Sequence, residues 1–359
     1  MAARIMVMAG GTGGHVFPAL AVAEELRKRG WEVTWLGTPD SFESRVVPQH
    51  DFPMQFVKAY RLRGQGIGSL LLAPLRLLNA LRQAWQVLRH NKPQVVLGMG
   101  GFVTGPGGLV SIVLRLPLVV HEQNALPGLT NRWLSRAAAH VLEAFPGSFP
   151  ANRKALCTGN PVRQEIVALA DISRHKIAAQ RPIRLLVLGG SLGAAALNET
   201  LPRALSLLHG ESELEIRHQA GAGKAEQTSS LYEQSKVTAE VTEFVTDMAA
   251  AYQWADLVVC RAGALTVSEL AIAGVGAILV PYPHAVDDHQ TVNAGFLEDA
   301  GAAVIVQQAV LSPESLAVLL GELITDTQRL FEMATAARKL AQPEATLTVA
   351  DICEEALAA

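Results

Sequence analysis

The chain has 359 residues, half of them hydrophobic and 5% aromatic, with 30 glycines and a formal net charge of −3, which predicts a soluble α/β protein of two domains. The charge is divided unevenly, because residues 1–162 carry 17 Lys/Arg and 8 Asp/Glu, whereas residues 163–359 carry 13 and 25. The basic half lacks interleaved aromatic residues, so we expect an anionic surface or a phosphorylated ligand as partner and no nucleic acid.

The first residues lead directly into a predicted buried strand at residues 4–9, without the length or the cleavage site of a signal peptide. The three cysteines lie far apart, are odd in number and show no metal-binding spacing. Both features favour a cytoplasmic, reducing location.

A glycine-rich loop at residues 10–17 precedes a predicted helix at residues 18–29. It is not a Walker loop, since no lysine follows at the required position, but backbone N–H groups at a helix start suit a phosphate. His15 lies in this loop, and because histidine is the side chain that most often acts as a general base, it is a candidate for that role. The alternative for a lone histidine is a structural role.

Residues 66–90 are rich in leucine and carry arginine at helical spacing, and no acidic residue occurs between Phe52 and His121. The apolar run is too interrupted to span a bilayer. One hypothesis is an amphipathic helix at the surface of an anionic membrane. The alternative is a helix that packs on a sheet through its apolar face.

The N-terminal half continues as alternating strands and helices, which predicts a parallel sheet with functional loops at the carboxyl ends of its strands. Further strands are predicted at residues 32–36, 54–57, 95–97, 118–120 and 139–142, with a helix at residues 109–114. The loops carry His15, the glycines of residues 98–108, and residues 121–124. Residues 121–125 lack the second histidine of a zinc-protease helix, so we expect no metal there, and Glu122 is the second candidate for the base.

A second unit is expected from about residue 163 and repeats the same order of elements. Its predicted strands are residues 185–188, 215–218, 240–242, 257–260, 277–280 and 303–306, followed by helices at 313–325, 327–340 and 344–357. Two βαβ domains facing each other across a cleft are the architecture that this order predicts.

The turn after residues 257–260 is the strongest candidate for a nucleotide-sugar site. Small residues at 262–264 let the backbone turn tightly, and Leu265, Thr266 and Val267 open a helix whose N–H groups can hold a diphosphate without a metal. Glu269 follows one turn later, where a carboxylate can accept both ribose hydroxyls. The alternative is an ordinary strand-turn-helix with a first-turn glutamate.

Residues 189–193 match the nucleophile-elbow pattern of serine hydrolases, and Asp287 and His289 follow in the proper order. Ser191 serves equally well as a phosphate-binding hydroxyl near a helix start. No Asp-x-Asp sequence occurs, so a glycosyl transfer would rely on the helix dipole, Ser191 and a cation such as Arg163 to stabilise the leaving group.

Six motifs in register, at residues 10–18, 98–108, 121–124, 159–163, 189–193 and 261–269, make nearly the whole chain resemble the MurG family of peptidoglycan glycosyltransferases. The resemblance implies a GT-B fold, an α/β architecture of two Rossmann-like domains with parallel sheets facing across a cleft. It implies an acceptor and membrane-side domain at residues 1–162, joined by a last helix at about 342–359, and a UDP-sugar donor domain at 163–341. It implies no cofactor.

Members of the family transfer N-acetylglucosamine (GlcNAc) from UDP-GlcNAc to lipid I, which is undecaprenyl-pyrophosphoryl-MurNAc-pentapeptide. The acceptor group is the 4-hydroxyl of the muramyl sugar, and the transfer inverts the anomeric configuration. The product is lipid II, which is used for cell-wall synthesis. We therefore expect a peripheral protein on the cytoplasmic face of the inner membrane that contacts the anionic surface near residues 70–85. Other cell-wall synthesis proteins are candidate partners. A UDP-sugar epimerase of the same fold is the alternative.

The resemblance also implies roles for single residues. At the N-terminal wall of the donor site we expect Thr12, Gly13, Gly14 and Asn124. The diphosphate is assigned to Arg163 and Ser191, the uracil to Val245, and the sugar hydroxyls to Gln290. The phosphate and ribose are assigned to Ala264, Leu265, Thr266, Val267, Ser268 and Glu269. The acceptor pyrophosphate is assigned to Gly13, Gly14, Gly100, Gly101 and Thr104. Residues 283–290 depart from the family's pattern, which leaves the contact to the sugar's 4-hydroxyl open.

Overall fold

The structure is a computed structural model that describes residues 2–59, 73–172, 181–208 and 214–358. The chain divides into two compact units. One contains Met1–Arg163 together with Pro343–Ala359, and the other contains Gln164–Gln342. In both, helices alternate with the strands of a parallel sheet, so the predicted α/β class is confirmed.

The first unit is built on a seven-stranded sheet. The described strands are β1 (Arg4–Met8), β2 (Glu32–Gly37), β3 (Met54–Phe56), β4 (Val95–Gly98), β5 (Leu118–Glu122), β6 (His140–Glu143) and β7 (Leu156–Cys157). The helices are α1 (Gly13–Lys28), α2 (Phe42–Val46), α3 (Ala73–Asn91), α4 (Thr104–Val113), α5 (Leu129–Leu134) and the C-terminal helix (Ala345–Ala358). The strands pair in parallel in the order β3-β2-β1-β4-β5-β6-β7.

Helices cover both faces of this sheet, which explains why its central strands are unbroken apolar runs. Successive side chains of β1 alternate between the two faces. Ile5 and Val7 pack in one core cluster with α1 and the C-terminal helix. Met6 and Met8 pack in another with α3, α4 and α5.

The C-terminal helix belongs to the core of the first unit. Its Val349, Ile352 and Cys353 are buried in the same cluster as α1. At the surface, Arg29 Nη1 donates to Asp351 Oδ1 at 2.6 Å and to Glu354 Oε2 at 3.2 Å. The last residues of the chain therefore complete the unit that the first residues begin.

The second unit is built on a six-stranded parallel sheet. The described strands are β8 (Ile183–Leu188), β9 (Leu214–Gln219), β10 (Glu240–Thr242), β11 (Leu257–Cys260), β12 (Gly276–Leu279) and β13 (Ala303–Ile305), in the order β10-β9-β8-β11-β12-β13. The helices are α6 (Gln164–Val167), α7 (Ala195–Ser206), α8 (Ala225–Gln234), α9 (Met248–Trp254), α10 (Ala264–Ala273), α11 (His289–Glu298), α12 (Pro313–Thr325) and α13 (Thr327–Lys339), so that the C-terminal helix is α14.

Both sheets reverse their strand order beside their first strand. In the first unit β1 lies between β2 and β4, and in the second β8 lies between β9 and β11. The loops that leave such neighbours run in opposite directions and open a crevice at the carboxyl ends of the strands, where α/β proteins bind ligands. The predicted glycine loops follow β1, β4, β8 and β11, so they lie at these two positions.

Two predicted helix starts are wrong. Helix α1 begins at Gly13 and not at residue 18, and α4 begins at Thr104 and not at residue 109. Glycine is a poor helix former, but tertiary packing overrides this preference here. A Cβ on Gly107 would lie 2.3 Å from Met8 Sδ, and one on Gly108 would lie 2.6 Å from Leu134 Cδ1, so these glycines let α4 approach its neighbours closely. Elements α2, α5 and β7 were not predicted.

Part of the leucine-rich segment at residues 66–90 is visible as α3, whereas residues 66–72 lie outside the described ranges. Ala80, Ala84 and Leu88 of α3 are buried in the core, as the sheet-packing alternative predicts. Leu75 and Leu78 are exposed by 66% and 65%, so this helix also carries an apolar surface that the core does not use. Within the described ranges, no helix has both the length and the apolarity needed to cross a bilayer.

Candidate active site

In the first unit, the two glycine loops touch at the crevice beside β1. Gly10 N–H donates to Gly100 O at 3.3 Å. Gly101 has a φ of +90°, and a Cβ there would lie 2.4 Å from Gly10 O, so a side chain cannot be accommodated. The starts of α1 and α4 are thereby brought together, with the N–H groups of their first turns at one place.

The buried carboxylate of Glu43 holds the first glycine loop in place. Glu43 accepts hydrogen bonds from Gly11 N at 3.0 Å, Thr38 N at 3.0 Å and Thr38 Oγ1 at 2.7 Å. Burial raises the pKa of Glu43, but the hydrogen bonds from Gly11 and Thr38 outweigh it and leave that pKa below its ordinary value. Because Gly11 N–H is used by Glu43, an anion at this loop would meet the N–H groups of Gly13 and Gly14.

The side chain of Thr104 is placed differently from the sequence expectation. It is fully buried, and its hydroxyl lies 2.8 Å from Gly100 O and 3.2 Å from Met8 O. The hydroxyl therefore holds the second loop through Gly100 and strand β1 through Met8, and the backbone N–H of Thr104, at the start of α4, is the group that it can offer to a ligand. Sequence reasoning could not distinguish these two uses of a helix-start threonine.

His15 lies in the first turn of α1 and is half-buried. Its Nδ1 is 2.9 Å from Gln123 Oε1, and Gln123 Nε2 is 3.2 Å from His121 Nδ1. His121 Nε2 is in turn 2.9 Å from the carbonyl oxygen of Gly159. Burial lowers the pKa of His121 to about 4, so this imidazole is neutral at physiological pH. Neither Gln123 nor His121 was predicted to act on His15.

Glu122, the second candidate base, is buried and bonded to four donors. Its Oε1 accepts from Asn124 N and Nδ2, both at 3.1 Å. Its Oε2 accepts from Gly128 N at 3.0 Å and Asn131 Nδ2 at 2.9 Å. Four donors occupy the usual acceptor positions of a carboxylate, so the arrangement is typical of a group that holds a loop. It also fixes Asn124, which was predicted at the donor site.

Arg163 ends the first unit, and its guanidinium carbon lies 5.9 Å from the centre of the Phe17 ring on α1. The residue as a whole is half-buried. A cation is therefore present on the same side of the unit as the α1 helix, where a phosphate-binding role was predicted.

In the second unit, the loop after β8 is shaped by Gln219. Gln219 Oε1 accepts from Gly190 N at 2.9 Å, and its Nε2 donates to Gly190 O at 3.0 Å and Glu243 O at 2.7 Å. Gln219 was not predicted, and it joins this loop to the segment that carries Val245. Val245 is half-buried, and the neighbouring Phe244 ring is 52% exposed.

Ser191 is exposed in this loop, four residues before α7 begins. A nucleophile elbow carries its serine on a strained turn directly before the helix. Ser191 is not among the described residues with positive φ, and no hydrogen bond joins its hydroxyl to a histidine within the described part of the chain. These features favour the phosphate-binding hydroxyl over the hydrolase nucleophile.

Helix α10 starts at Ala264, directly after the turn that follows β11. The N–H groups of Ala264, Leu265 and Thr266 are in its first turn, while Val267 is buried and Ser268 Oγ donates to Ala264 O at 3.1 Å. This tight turn before a helix start is the geometry that the sequence predicts.

Glu269 is 5% exposed, and its Oε2 accepts from the hydroxyl of Tyr252 at 3.0 Å. Tyr252 is fully buried in α9. A buried phenol needs a partner, so the bond satisfies Tyr252 and fixes the direction of the carboxylate. Tyr252 could not be associated with Glu269 from sequence, because the two lie on separate helices.

Gln290 lies in the first turn of α11. Its Oε1 accepts from Tyr282 N at 2.9 Å, so its amide nitrogen is the part of the side chain that can donate to a ligand. Asp287 and Asp288 both have positive φ, at 53° and 52°, a conformation that is uncommon for residues with side chains. The unusual stretch noted in the sequence is therefore also unusual in backbone geometry.

An exposed apolar surface covers the neighbouring helices α3, α4 and α5, which pack against one another in series. Its large exposed side chains are Leu75, Leu77, Leu78, Trp85, Phe102, Leu109, Val113, Leu129 and Trp133. Two arginines lie beside its tryptophans. The guanidinium carbon of Arg136 is 4.5 Å from the centre of the Trp133 ring, and that of Arg89 is 5.9 Å from the centre of the Trp85 ring. We call this set the α3–α5 apolar surface. It was only partly predicted, because α5 was missed.

Within the described ranges, no three His, Cys, Asp or Glu side chains are grouped so that they could hold a metal ion.

Both units match the models of known protein families. Residues 5–143 match the glycosyltransferase family 28 N-terminal domain, and residues 184–352 match the glycosyltransferase family 28 C-terminal domain. A protein of Methylococcus capsulatus is 54% identical over 355 residues, 99% of each chain, and one of Marinobacter nauticus is 52% identical over 353 residues, 98% of this chain and 97% of that one. Both are named UDP-N-acetylglucosamine--N-acetylmuramyl-(pentapeptide) pyrophosphoryl-undecaprenol N-acetylglucosamine transferase.

The crystal structure of Acinetobacter baumannii MurG superposes with a TM-score of 0.84 at 44% identity, over 98% of this chain and 99% of that one. The resemblance to the MurG family and the GT-B fold expected from the six motifs are confirmed. The chain therefore belongs to glycosyltransferase family 28.

Proposed function

We propose that this protein transfers GlcNAc from UDP-GlcNAc to the muramyl 4-hydroxyl of lipid I and so makes lipid II. The observation that carries the proposal is a pair of glycine-loop crevices, one at the strand-order reversal of each sheet, in a chain whose family 28 relatives bear the name of this transferase. One crevice suits a nucleotide diphosphate and the other suits the acceptor pyrophosphate.

The donor binds in the second unit. The first turn of α10 offers N–H groups and a positive dipole end to the diphosphate, with Ser191 on the neighbouring loop. Glu269, fixed by Tyr252, accepts the ribose hydroxyls, and the exposed Phe244 ring beside Val245 offers an apolar face to the uracil. Gln290 donates its amide N–H to the sugar, since its oxygen already accepts from Tyr282.

The acceptor binds in the first unit. Its pyrophosphate meets the N–H groups of Gly13 and Gly14 in α1 and those near Gly100 and Gly101 before α4, where the loops are held together by Gly10 and Gly100. The net positive charge of residues 1–162 favours such a ligand.

The reaction is a single displacement. His15 takes the proton of the muramyl 4-hydroxyl, and the oxygen attacks the anomeric carbon of GlcNAc as the bond from that carbon to the UDP oxygen breaks. UDP leaves with the electron pair, and the α-linked donor becomes a β-linked product. The α10 helix start and Ser191 stabilise the charge that develops on the departing diphosphate.

Replacing His15 by alanine removes the base. We expect turnover to fall roughly a hundredfold or more, the usual contribution of a general base. UDP binding measured by calorimetry should stay at the wild-type value, because the donor site lies in the other unit. His50→Ala, which removes a histidine of the same unit bonded to Glu24, is the matched control. Turnover by His15→Ala near the wild-type rate would assign the base elsewhere.

Replacing Glu122 by glutamine distinguishes a loop-holding role from a base. The new NH₂ group would face N–H donors, so we expect the free energy of unfolding to fall by about 1–3 kcal/mol, measured by urea denaturation. Glu32→Gln, at an exposed position on β2, should leave it unchanged. A Glu122→Gln protein with full stability and no turnover would instead identify Glu122 as the base.

Donor recognition is tested by calorimetry in the presence of a chelator. We expect UDP-GlcNAc to bind more tightly than UDP-galactose or GDP-mannose, with no effect of the chelator. Glu269→Gln should weaken UDP binding by about tenfold or more and remove the preference for UDP over 2′-deoxy-UDP, since it loses charged hydrogen bonds to the ribose. Glu322→Gln, on the exposed side of α12, is the control. An unchanged preference would refute the ribose assignment.

The α3–α5 apolar surface contacts the cytoplasmic face of the membrane that holds the lipid acceptor. Leucine and tryptophan side chains with arginines around them are the combination that binds an anionic lipid interface. This surface belongs to the same unit as the acceptor crevice, which supports the assignment.

Replacing both Leu75 and Leu78 by serine removes apolar area from this surface. Because each leucine contributes on the order of 1.5–3 kcal/mol when buried, we expect binding to phosphatidylglycerol vesicles in a flotation assay to fall about tenfold or more. Turnover of a water-soluble lipid I analogue should be preserved. The matched control replaces Val310 and Val318, exposed residues of the second unit, by serine. Equal loss in both double variants would contradict the proposal.

A further inference from the structure

The hydrogen-bonded line from His15 through Gln123 and His121 to Gly159 has no part in the mechanism described so far. We propose that Gln123 and His121 are positioning residues that fix the tautomer of His15, with the proton on Nδ1 and the lone pair on Nε2. The inference rests on the proposed function in one respect, that His15 is the base. The tautomer itself follows from the geometry.

The donor and acceptor roles in this series of hydrogen bonds are determined at its buried end, His121. His121 Nε2 lies 2.9 Å from the carbonyl oxygen of Gly159, and a carbonyl oxygen can only accept, so Nε2 carries a proton. His121 is completely buried, and burial lowers its pKa to about 4. The ring is therefore neutral near pH 7, and its other nitrogen, Nδ1, carries a lone pair.

The orientation of the Gln123 amide follows from the lone pair on His121 Nδ1. Its side chain is 1% exposed, and one end of its amide is 3.2 Å from His121 Nδ1. That nitrogen needs a donor, so the NH₂ group faces it and the amide oxygen faces His15. The reverse amide orientation would require protons on both nitrogens of His121, that is, a buried imidazolium. Asn160 Nδ2 donates to the Gln123 backbone carbonyl at 3.1 Å and holds the main chain in place.

The last step fixes His15. The Gln123 oxygen can only accept, so His15 Nδ1, 2.9 Å away, carries a proton. In the neutral ring the lone pair then belongs to Nε2, the nitrogen that is not engaged by Gln123. Gly100 allows this contact, because a Cβ there would lie 2.8 Å from His15 Nδ1. A base held in one tautomer needs no proton rearrangement before it accepts the proton of the acceptor hydroxyl.

Nitrogen NMR tests the tautomer directly. We would label the full-length protein with ¹⁵N-histidine, record long-range ¹H–¹⁵N spectra near pH 8, and assign the rings by loss of signal in His15→Gln and His121→Gln. We expect a protonated Nδ1 for His15 and a protonated Nε2 for His121. A protonated Nε2 on His15 in the wild-type protein would overturn the proposal, whatever happens in any variant.

Variants of Gln123 test whether the tautomer matters for turnover. Gln123→Met fills the same space without hydrogen bonds, so the His15 signals should become those of a tautomer mixture and kcat should fall about 10- to 100-fold, with the donor KM unchanged. Gln123→Glu keeps an acceptor for the His15 Nδ1 proton and should retain that tautomer and more of the turnover. Gln94→Met replaces a glutamine of the same unit that accepts from Arg4 N, and it should behave as the wild type.

The two proposals fail in different ways. A protonated His15 Nδ1 in the wild type, together with near-normal turnover by His15→Ala, would leave the tautomer intact and remove the base role. A His15→Ala protein without turnover, together with a Gln123→Met protein at the full wild-type rate, would keep the base and overturn the role of Gln123.

Discussion

Close backbone contact between loops is the constraint on which both crevices depend. In the first unit, the Gly10 and Gly101 main chains meet where no Cβ fits. In the second, a Cβ on Gly193 would lie 2.1 Å from Ala220 O. The first contact joins the loops after β1 and β4 across the reversal of strand order, whereas the second joins the loops after β8 and β9 and so holds the loop that carries Ser191. A side chain at either glycine would push the two loops apart and displace their backbone N–H donors.

Buried polar side chains hold these loops in one conformation. Glu43, Glu122 and Gln219 each bond to backbone N–H or C=O groups of a loop, with both side-chain heteroatoms engaged. Their removal from water is offset by these bonds, and the loops gain a single conformation. The two carboxylates also hold negative charge close to crevices that we propose bind anions. Their lone pairs, however, are turned toward loop donors and not toward the ligand.

The fold could be read from the sequence to a large extent, because unbroken apolar strands and intervening helices are local patterns. The parallel pairing and the glycine loops at the strand ends follow from the same patterns, whereas the order of the strands within each sheet was not predicted. Helix starts could not be read where glycines pack against a sheet, as Gly107 does against Met8. Single side chains were harder still. Thr104 and Glu122 looked like ligand-facing groups, yet each is satisfied internally, and Gln123 and Tyr252 gained roles only through partners distant in sequence.

The return of α14 to the first unit has a consequence for biosynthesis. Because Val349 and Cys353 share a core with α1, that core combines segments that precede and follow the second unit, whereas the second unit is continuous in sequence. During translation the second unit can therefore close before the first is complete. The flank of α1 that α14 covers stays exposed until the residues of α14 have been synthesised and have left the ribosome.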